Sequence, residues 1–150
     1  MHFQRETLYE VIEEVQPLLD AHYTELTRHK EIVKLAPKWD AYASLEQAGM
    51  FVIFTAREFS QLAGYNAFFI QGHMHYAELM VAQNDVFWLE PEYRKGTAAL
   101  RFLRYCERAL NEMGAKKIVY HCKASNNMAP ILHRMGYQDE EVMTAKLLGA

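Results

Sequence analysis

The spacing of apolar residues changes twice along the chain, and that change constrains the fold more than any single residue does. Apolar side chains fall first at Leu8, Val11, Ile12, Val15, Leu18, Leu19, Tyr23 and Leu26. Steps of three and four mark one face of a helix. Pro17 lies inside that stretch; it has no backbone donor and crowds the preceding turn, so a break or kink is expected there, with Pro17 opening the second piece. Another helical stretch starts at Pro37, turns Trp39, Tyr42, Ala43 and Leu45 inward, and closes at Gly49. The pattern then switches to β-branched and aromatic runs. MFVIFTA (50–56), LAGYNAFFIQ (62–71) and VFWLE (86–90) read as strands, the second antiparallel to the first and the third stopped by Pro91. A short strand at 2–5 precedes the first helix. Helical spacing returns after Thr97, at Ala99, Leu100, Leu103, Tyr105, Cys106, Ala109, Leu110 and Met113, and ends at Gly114. KIVYHC (117–122) reads as a central strand, 128–135 as a helix stopped by Gly136, and 142–148 as a last strand. This order predicts an α/β fold, a mixed sheet flanked by helices.

No repeat, low-complexity tract or linker divides the 150 residues, so one domain over 1–150 is expected. With 51% hydrophobic and 23% charged residues the chain can bury a core, which argues against disorder. A formal charge of -3 supplies no bulk basic field for nucleic acid, although it leaves room for a local basic strip. No apolar run approaches the roughly 20 residues of a membrane-spanning helix. The first residues carry acids where a secretion signal carries an apolar run. Cys106 and Cys122, the two cysteines, are too few for a disulfide scaffold or a four-cysteine zinc site. A soluble cytoplasmic domain with reduced thiols is the expectation.

The chemistry concentrates in VFWLEPEYRKGTAALRFLRYCERAL, where a strand runs through a turn of small residues into a helix. The first turn of a helix leaves four amides without partners, and the helix dipole makes that end partly positive. Small side chains let an anion approach those amides, and Arg94 and Lys95 add formal charge at the lip. A phosphate or pyrophosphate suits such a turn. A turn that needs Gly96 only for its backbone angles would look the same.

LEPEYRKGTAALRFLRYCERAL resembles the acyl-CoA pyrophosphate loop and following helix of the GNAT N-acetyltransferase superfamily. KKIVYHC is similar to that family's next strand, and NNMAPILHRMGY to its Asn-x-x-Ala … Gly-aromatic helix. The likeness spans about 50–148. Two stretches, HYTELTRHKEIVKLAPKWDAYASLEQAG and NDVFWLEPEYR, resemble GNAT-type proteins of tailed bacteriophages, which would place the chain in the host cytoplasm. The resemblance implies a GNAT-like, mostly antiparallel sheet with strands splayed at the site of acetyl-CoA, the co-substrate. The backbone of Arg94, Lys95, Gly96, Thr97, Ala98 and Ala99 would hold its pyrophosphate. Phe87, Trp88 and Leu89 would pair with its pantetheine arm in a splay beside KIVYHC, and Asn126 or Asn127 would touch that arm. Two departures stand out. The family's loop reads Gln/Arg-x-x-Gly-x-Gly/Ala; anchored on Gly96, Tyr93 takes the first position and Ala98 the last, whereas a one-residue deletion would restore Arg94. Leu132 stands where many members place a tyrosine that protonates the departing thiolate, and a one-residue offset would bring His133 there instead.

Amine acetylation needs a base, an oxyanion donor and often an acid. A backbone amide near Leu89 can serve the oxyanion. Asp85 and Glu90 flank the third strand as candidate bases, with Glu78 a third. Strand alternation puts Asp85, Phe87 and Leu89 on one face and Val86, Trp88 and Glu90 on the other. His73 and His75, two apart, would share a face on a strand. They read as substrate-pocket walls with Tyr76 and Tyr65 rather than as a zinc site, since nothing marks a third ligand beyond His121. Cys122 reads as an inert thiol and Cys106 as packing. Arg101, one turn into the helix, is a candidate for the 3′-phosphate of CoA. The leading expectation is therefore an N-acetyltransferase acting by direct attack of an amine. The alternatives are a GNAT-fold binding or virion-associated module without turnover and a nucleic-acid modifier. The aromatic strands would also allow a dimer through sheet edges.

Overall fold

The computed structural model describes residues 1–124 and 128–148. Its five strands are β1 (His2–Glu6), β2 (Phe51–Glu58), β3 (Gln61–His73), β4 (Tyr76–Leu89) and β5 (Lys117–Val119), lying side by side in that order. The first four pair antiparallel, and β5 joins β4 in parallel. The helices are α1 (Leu8–Leu26), α2 (Trp39–Gln47), α3 (Ala98–Glu112) and α4 (Ala129–Arg134). This is the mixed, mostly antiparallel sheet flanked by helices that the sequence predicted.

Strand alternation sends side chains to two separate cores. On one face, Phe54, Phe68, Ala82 and Leu89 pack against Phe102, Cys106 and Leu110 of α3. On the other, Phe51, Ile53, Tyr65 and Trp88 meet Val11 and Val15 of α1, with Trp39, Tyr42 and Leu45 of α2 half-buried beside them. α1 starts on a capping box: the Thr7 amide donates to Glu10 Oε2 at 2.7 Å, while the Glu10 amide donates to Thr7 Oγ1 at 3.4 Å. Glu46 of α2 accepts from the Leu8 amide at 2.9 Å, so a carboxylate also meets the positive end of α1.

Four expectations are corrected. Pro17 does not break α1, which is one helix of 19 residues. Pro17 is on the exposed side, where water can take the carbonyl that loses its donor. The run VFWLE is only the end of a 14-residue strand that begins at Tyr76. Its first residues, 76–80, are mostly exposed on a hairpin arm although the stretch is largely apolar. KIVYHC is an edge strand of three residues, not a central one. The stretch 142–148 forms no strand, and Val142 and Met143 are exposed. Strand propensity there finds no neighbouring strand to pair with.

Candidate active site

β4 carries an irregularity that sets the geometry of the site. Phe68 is opposite Asn84 and Ala67 is opposite Val86, so Asp85 is an extra residue bulged out of the ladder. Asn84 holds the bulge closed: its Nδ2 donates to Asn66 Oδ1 at 2.8 Å, to the Ala67 carbonyl at 3.1 Å and to the Val86 carbonyl at 3.2 Å. Asn66, fully buried, passes the network on through Nδ2 to Tyr120 Oη at 3.1 Å and Cys106 Sγ at 3.4 Å. The bulge breaks the expected alternation. Phe87 and Leu89 face α3, whereas Asp85 joins Val86 and Trp88 on the α1–α2 side.

On that side Asp85 lines a cavity of 380 Å³ enclosed by α1, α2, the segment between them and the middle of β2 and β3. Water reaches the carboxylate, but cavity walls surround it, and this partial desolvation raises its pKa. Tyr42 of α2 donates its hydroxyl to Asp85 Oδ2 at 2.9 Å, which pulls the other way. Tyr65, cross-strand from Trp88, also lines the cavity, and its buried hydroxyl has no partner among the described residues. His22 of α1 stacks on Trp88 at 5.2 Å, and burial depresses its pKa to about 4, leaving it neutral at pH 7.

The opposite edge of β4 is open. β5 pairs only with Val81, Ala82 and Gln83 and then leaves, while β4 runs on to Leu89. The two strands thus splay from the residues next to the bulge. Past Leu89, a 3-10 turn (Pro91–Tyr93) leads into the loop before α3. Among the described residues, no acceptor takes the amides of Lys95, Gly96, Thr97, Ala98 or Ala99. Gly96 has φ +75°, and a β-carbon there would meet nothing within 4 Å, so the loop is open on that side. Arg94 is placed differently: its amide donates to the Pro91 carbonyl, its Nε to the Leu89 carbonyl at 2.7 Å, and its guanidinium forks onto Glu25 at 2.9 and 3.0 Å. Its charge lies 4.5 Å from the Trp88 ring, turned from the loop toward α1.

The other sequence candidates disperse. Glu90 follows β4 outside the cavity, its amide bonded to the Ala63 carbonyl at 2.8 Å. His133 is exposed and paired with Asp139 at 2.8 Å, while Leu132 is buried, so no offset brings His133 inward. His73, His75 and Tyr76 form the β3–β4 hairpin tip rather than a pocket wall. Tyr76 and Asp85 are at opposite ends of β4, roughly 30 Å apart at about 3.3 Å per residue. Glu78 is exposed on the same arm. A turn, not a continuous strand, brings the two histidines together: the His75 amide donates to His73 Nδ1 at 3.1 Å. Among the described residues no three His, Cys, Asp or Glu side chains converge as a metal site. Arg101 is exposed over the Phe3 ring at 5.6 Å. Asn126 and Asn127 lie outside the described residues. Tyr42 and His22 were missed as site residues. Both lie on the apolar face of their helices, His22 three and four residues from Leu19 and Leu18, and that spacing was the available signal.

No helix of the described residues is long and apolar enough to cross a membrane. No curated protein matches the chain in sequence. Its fold is similar to that of a ribosomal-protein-alanine N-acetyltransferase from Brucella melitensis biovar Abortus 2308, with a TM-score of 0.74, 16% identity, and 97% of this chain and 96% of the other covered. An aminoglycoside acetyltransferase from an uncultured soil metagenomic sample gives 0.76 at 14% identity, with 99% and 98% covered. A predicted acetyltransferase with acetyl-CoA from Clostridium acetobutylicum gives 0.71 at 14% identity, with 98% and 96% covered. The model of the acetyltransferase (GNAT) family matches residues 10–137, from within α1, through the splayed strands and the open loop, to the aromatic residue after Gly136. With that match over most of its length, the chain belongs to the GNAT acetyltransferase family.

Proposed function

We propose that this chain is an acetyl-CoA-dependent N-acetyltransferase, one domain over 1–150, that passes the acetyl group directly to an amine. One observation carries this reading: the β4 bulge sets Asp85 at the end of a cavity beside the point where β5 leaves β4. A base and an open strand edge therefore meet from opposite faces of one sheet. The free amides of residues 95–99 suit the pyrophosphate of the co-substrate, and small side chains at Gly96, Ala98 and Ala99 allow it to come close. The unpaired edge of Phe87, Trp88 and Leu89 suits the pantetheine amides, and a β4 amide suits the carbonyl oxygen as it gains charge.

In this reading Asp85 first holds the incoming ammonium by its charge. It then takes one proton from that ammonium, which frees the lone pair that attacks the thioester carbon, and as the carbon–sulfur bond breaks the nitrogen sheds its second proton to water. Leu132 supplies no acid and His133 faces solvent, so the sulfur departs as a thiolate and takes its proton from water. A thiol pKa near 8.5 makes that departure workable at neutral pH. The family resemblance together with Asp85 on the cavity floor favours this over a module without turnover. The stretches that resemble phage proteins include the segment between α1 and α2 and the end of β4, the parts that line the cavity, so a phage setting would show in acceptor choice.

Calorimetric titration with acetyl-CoA tests the reading, with saturable binding expected. Gly96→Asp should abolish it, since the variant puts a negative charge and added bulk against the phosphates. Absence of binding to the natural chain at millimolar acetyl-CoA would overturn the proposal.

A further inference from the structure

The wall of the α1–α2 cavity says what kind of amine it takes. Apolar side chains from both helices and the segment between them form it, among them Leu19, Leu26, Val33, Leu35, Trp39 and Phe51. Among the described residues Asp85 is the only acid on the wall, and Tyr42 donates to its Oδ2. The Tyr65 hydroxyl, buried and without a partner among the described residues, is a second acceptor on the same wall. An ammonium group has three donors and no acceptor, so these two oxygens match one nitrogen. Lys34 and Lys123, exposed at the mouth, repel further cations. The wall is mostly apolar, so a sugar would bury several of its hydroxyls against carbon without a partner.

From these features we infer that the acceptor is a monoamine on an apolar body, bound in the cavity with its nitrogen between Asp85 and Tyr65 and its body against the α1–α2 wall. The acetyl-transfer reading supplies the reaction, while the cavity alone supplies the class of ligand. His22 adds no competing charge, since burial keeps its ring neutral at pH 7.

The chain has two tryptophans, Trp39 on the cavity wall and Trp88 stacked on His22, so intrinsic fluorescence reports occupancy without turnover. Four probes separate the features: 2-phenylethylamine, 2-phenylethanol, glucosamine and spermidine. Saturable quenching is expected with 2-phenylethylamine, and at least tenfold weaker binding with the other three. Asp85→Asn should reduce 2-phenylethylamine to the level of 2-phenylethanol and leave the alcohol unchanged. Leu35→Asn, placed in the wall away from the carboxylate, should weaken both phenylethyl ligands about fivefold. Equal or tighter binding of glucosamine or spermidine overturns the assignment, as does an unchanged affinity of 2-phenylethylamine in either variant. Thiol release from acetyl-CoA with the same panel keeps the two readings apart. Binding of 2-phenylethylamine without thiol release would sink acetyl transfer and leave the cavity assignment standing. Thiol release with glucosamine alone would do the reverse.

Discussion

The two faces of the sheet are built to different standards. On the α3 face, Phe102, Cys106 and Leu110 have 0% exposure and close against Phe54 and Phe68. On the opposite face α2 buries none of its residues fully, and the space between α1, α2 and the strands is left as a cavity. β4 contributes to both, with Leu89 in the closed core and Asp85 and Trp88 on the open side. The closed face carries stability through apolar burial. The open one keeps an unfilled volume, a partly desolvated carboxylate and an unpartnered hydroxyl, each a cost to folding that a bound ligand can relieve.

Four changes break or sharpen this contrast. Phe102→Ala removes a fully buried ring and should cost about 3–5 kcal/mol, read as a lower denaturant midpoint. Leu35→Ala, on the cavity wall, should cost under about 1 kcal/mol, because its surroundings are already open; comparable losses would mean that both faces carry the fold equally. Asp85→Asn should leave the fold intact and lower kcat for acetyl transfer by about 10²–10⁴-fold, the range for removing a general base. Burial raises the Asp85 pKa in the folded chain, so its ionisation opposes folding as pH rises through that window. The asparagine variant should therefore melt no lower than the natural chain at pH 7. Asn84→Ala frees the Ala67 and Val86 carbonyls that the side chain now bonds and should cost about 1–3 kcal/mol, with a fall in kcat that the wall variant Leu35→Ala does not show.

The smallest effect is a shift in pH dependence. Asp85 must be ionised to act, so kcat/KM should fall as pH drops through a pKa above the ordinary carboxylate range. Tyr42→Phe removes the hydrogen bond that holds that pKa down and should move the acid limb to higher pH, by less than about one unit. His22 stays neutral until about pH 4 and burial keeps the Tyr65 hydroxyl protonated across this range, so the limb belongs to Asp85. An unmoved limb in Tyr42→Phe would show that the carboxylate titrates elsewhere. Glu6 has the opposite sign: its fork with Arg57 depresses the carboxyl to about 2, so its contribution to stability is complete above the unfolded pKa of 4.5 and is lost as pH falls toward 2.

Much of this was legible in the chain. Periodicity found α1, α2 and α3 with their inward faces, and the run from Glu90 to Ala99 marked the entry to α3 before any coordinates. Pro17 misled because a helix tolerates proline where the freed carbonyl faces water, and exposure is not local information. Asp85 was found as an acid near a strand, but on the wrong face, because a bulge adds one residue and reverses the alternation that follows. Asn84, one residue earlier, holds that bulge, yet its amide bonds a carbonyl on another strand. His73, His75 and Tyr76 went astray because a strand of 14 residues was read as five, which carried a distant hairpin tip to the pocket.

The amino-acid order by itself determined the elements, their approximate ends and the small-residue entry to α3, since helix period, strand propensity and turn chemistry act over a few residues. Only the folded chain decided which residues share a site. The Asp85–Tyr42 bond joins a strand to a helix 43 residues away, and the cavity exists because two helices stop short of filling one face of the sheet. Packing and strand register are set between segments remote in sequence, and local pattern holds no record of them.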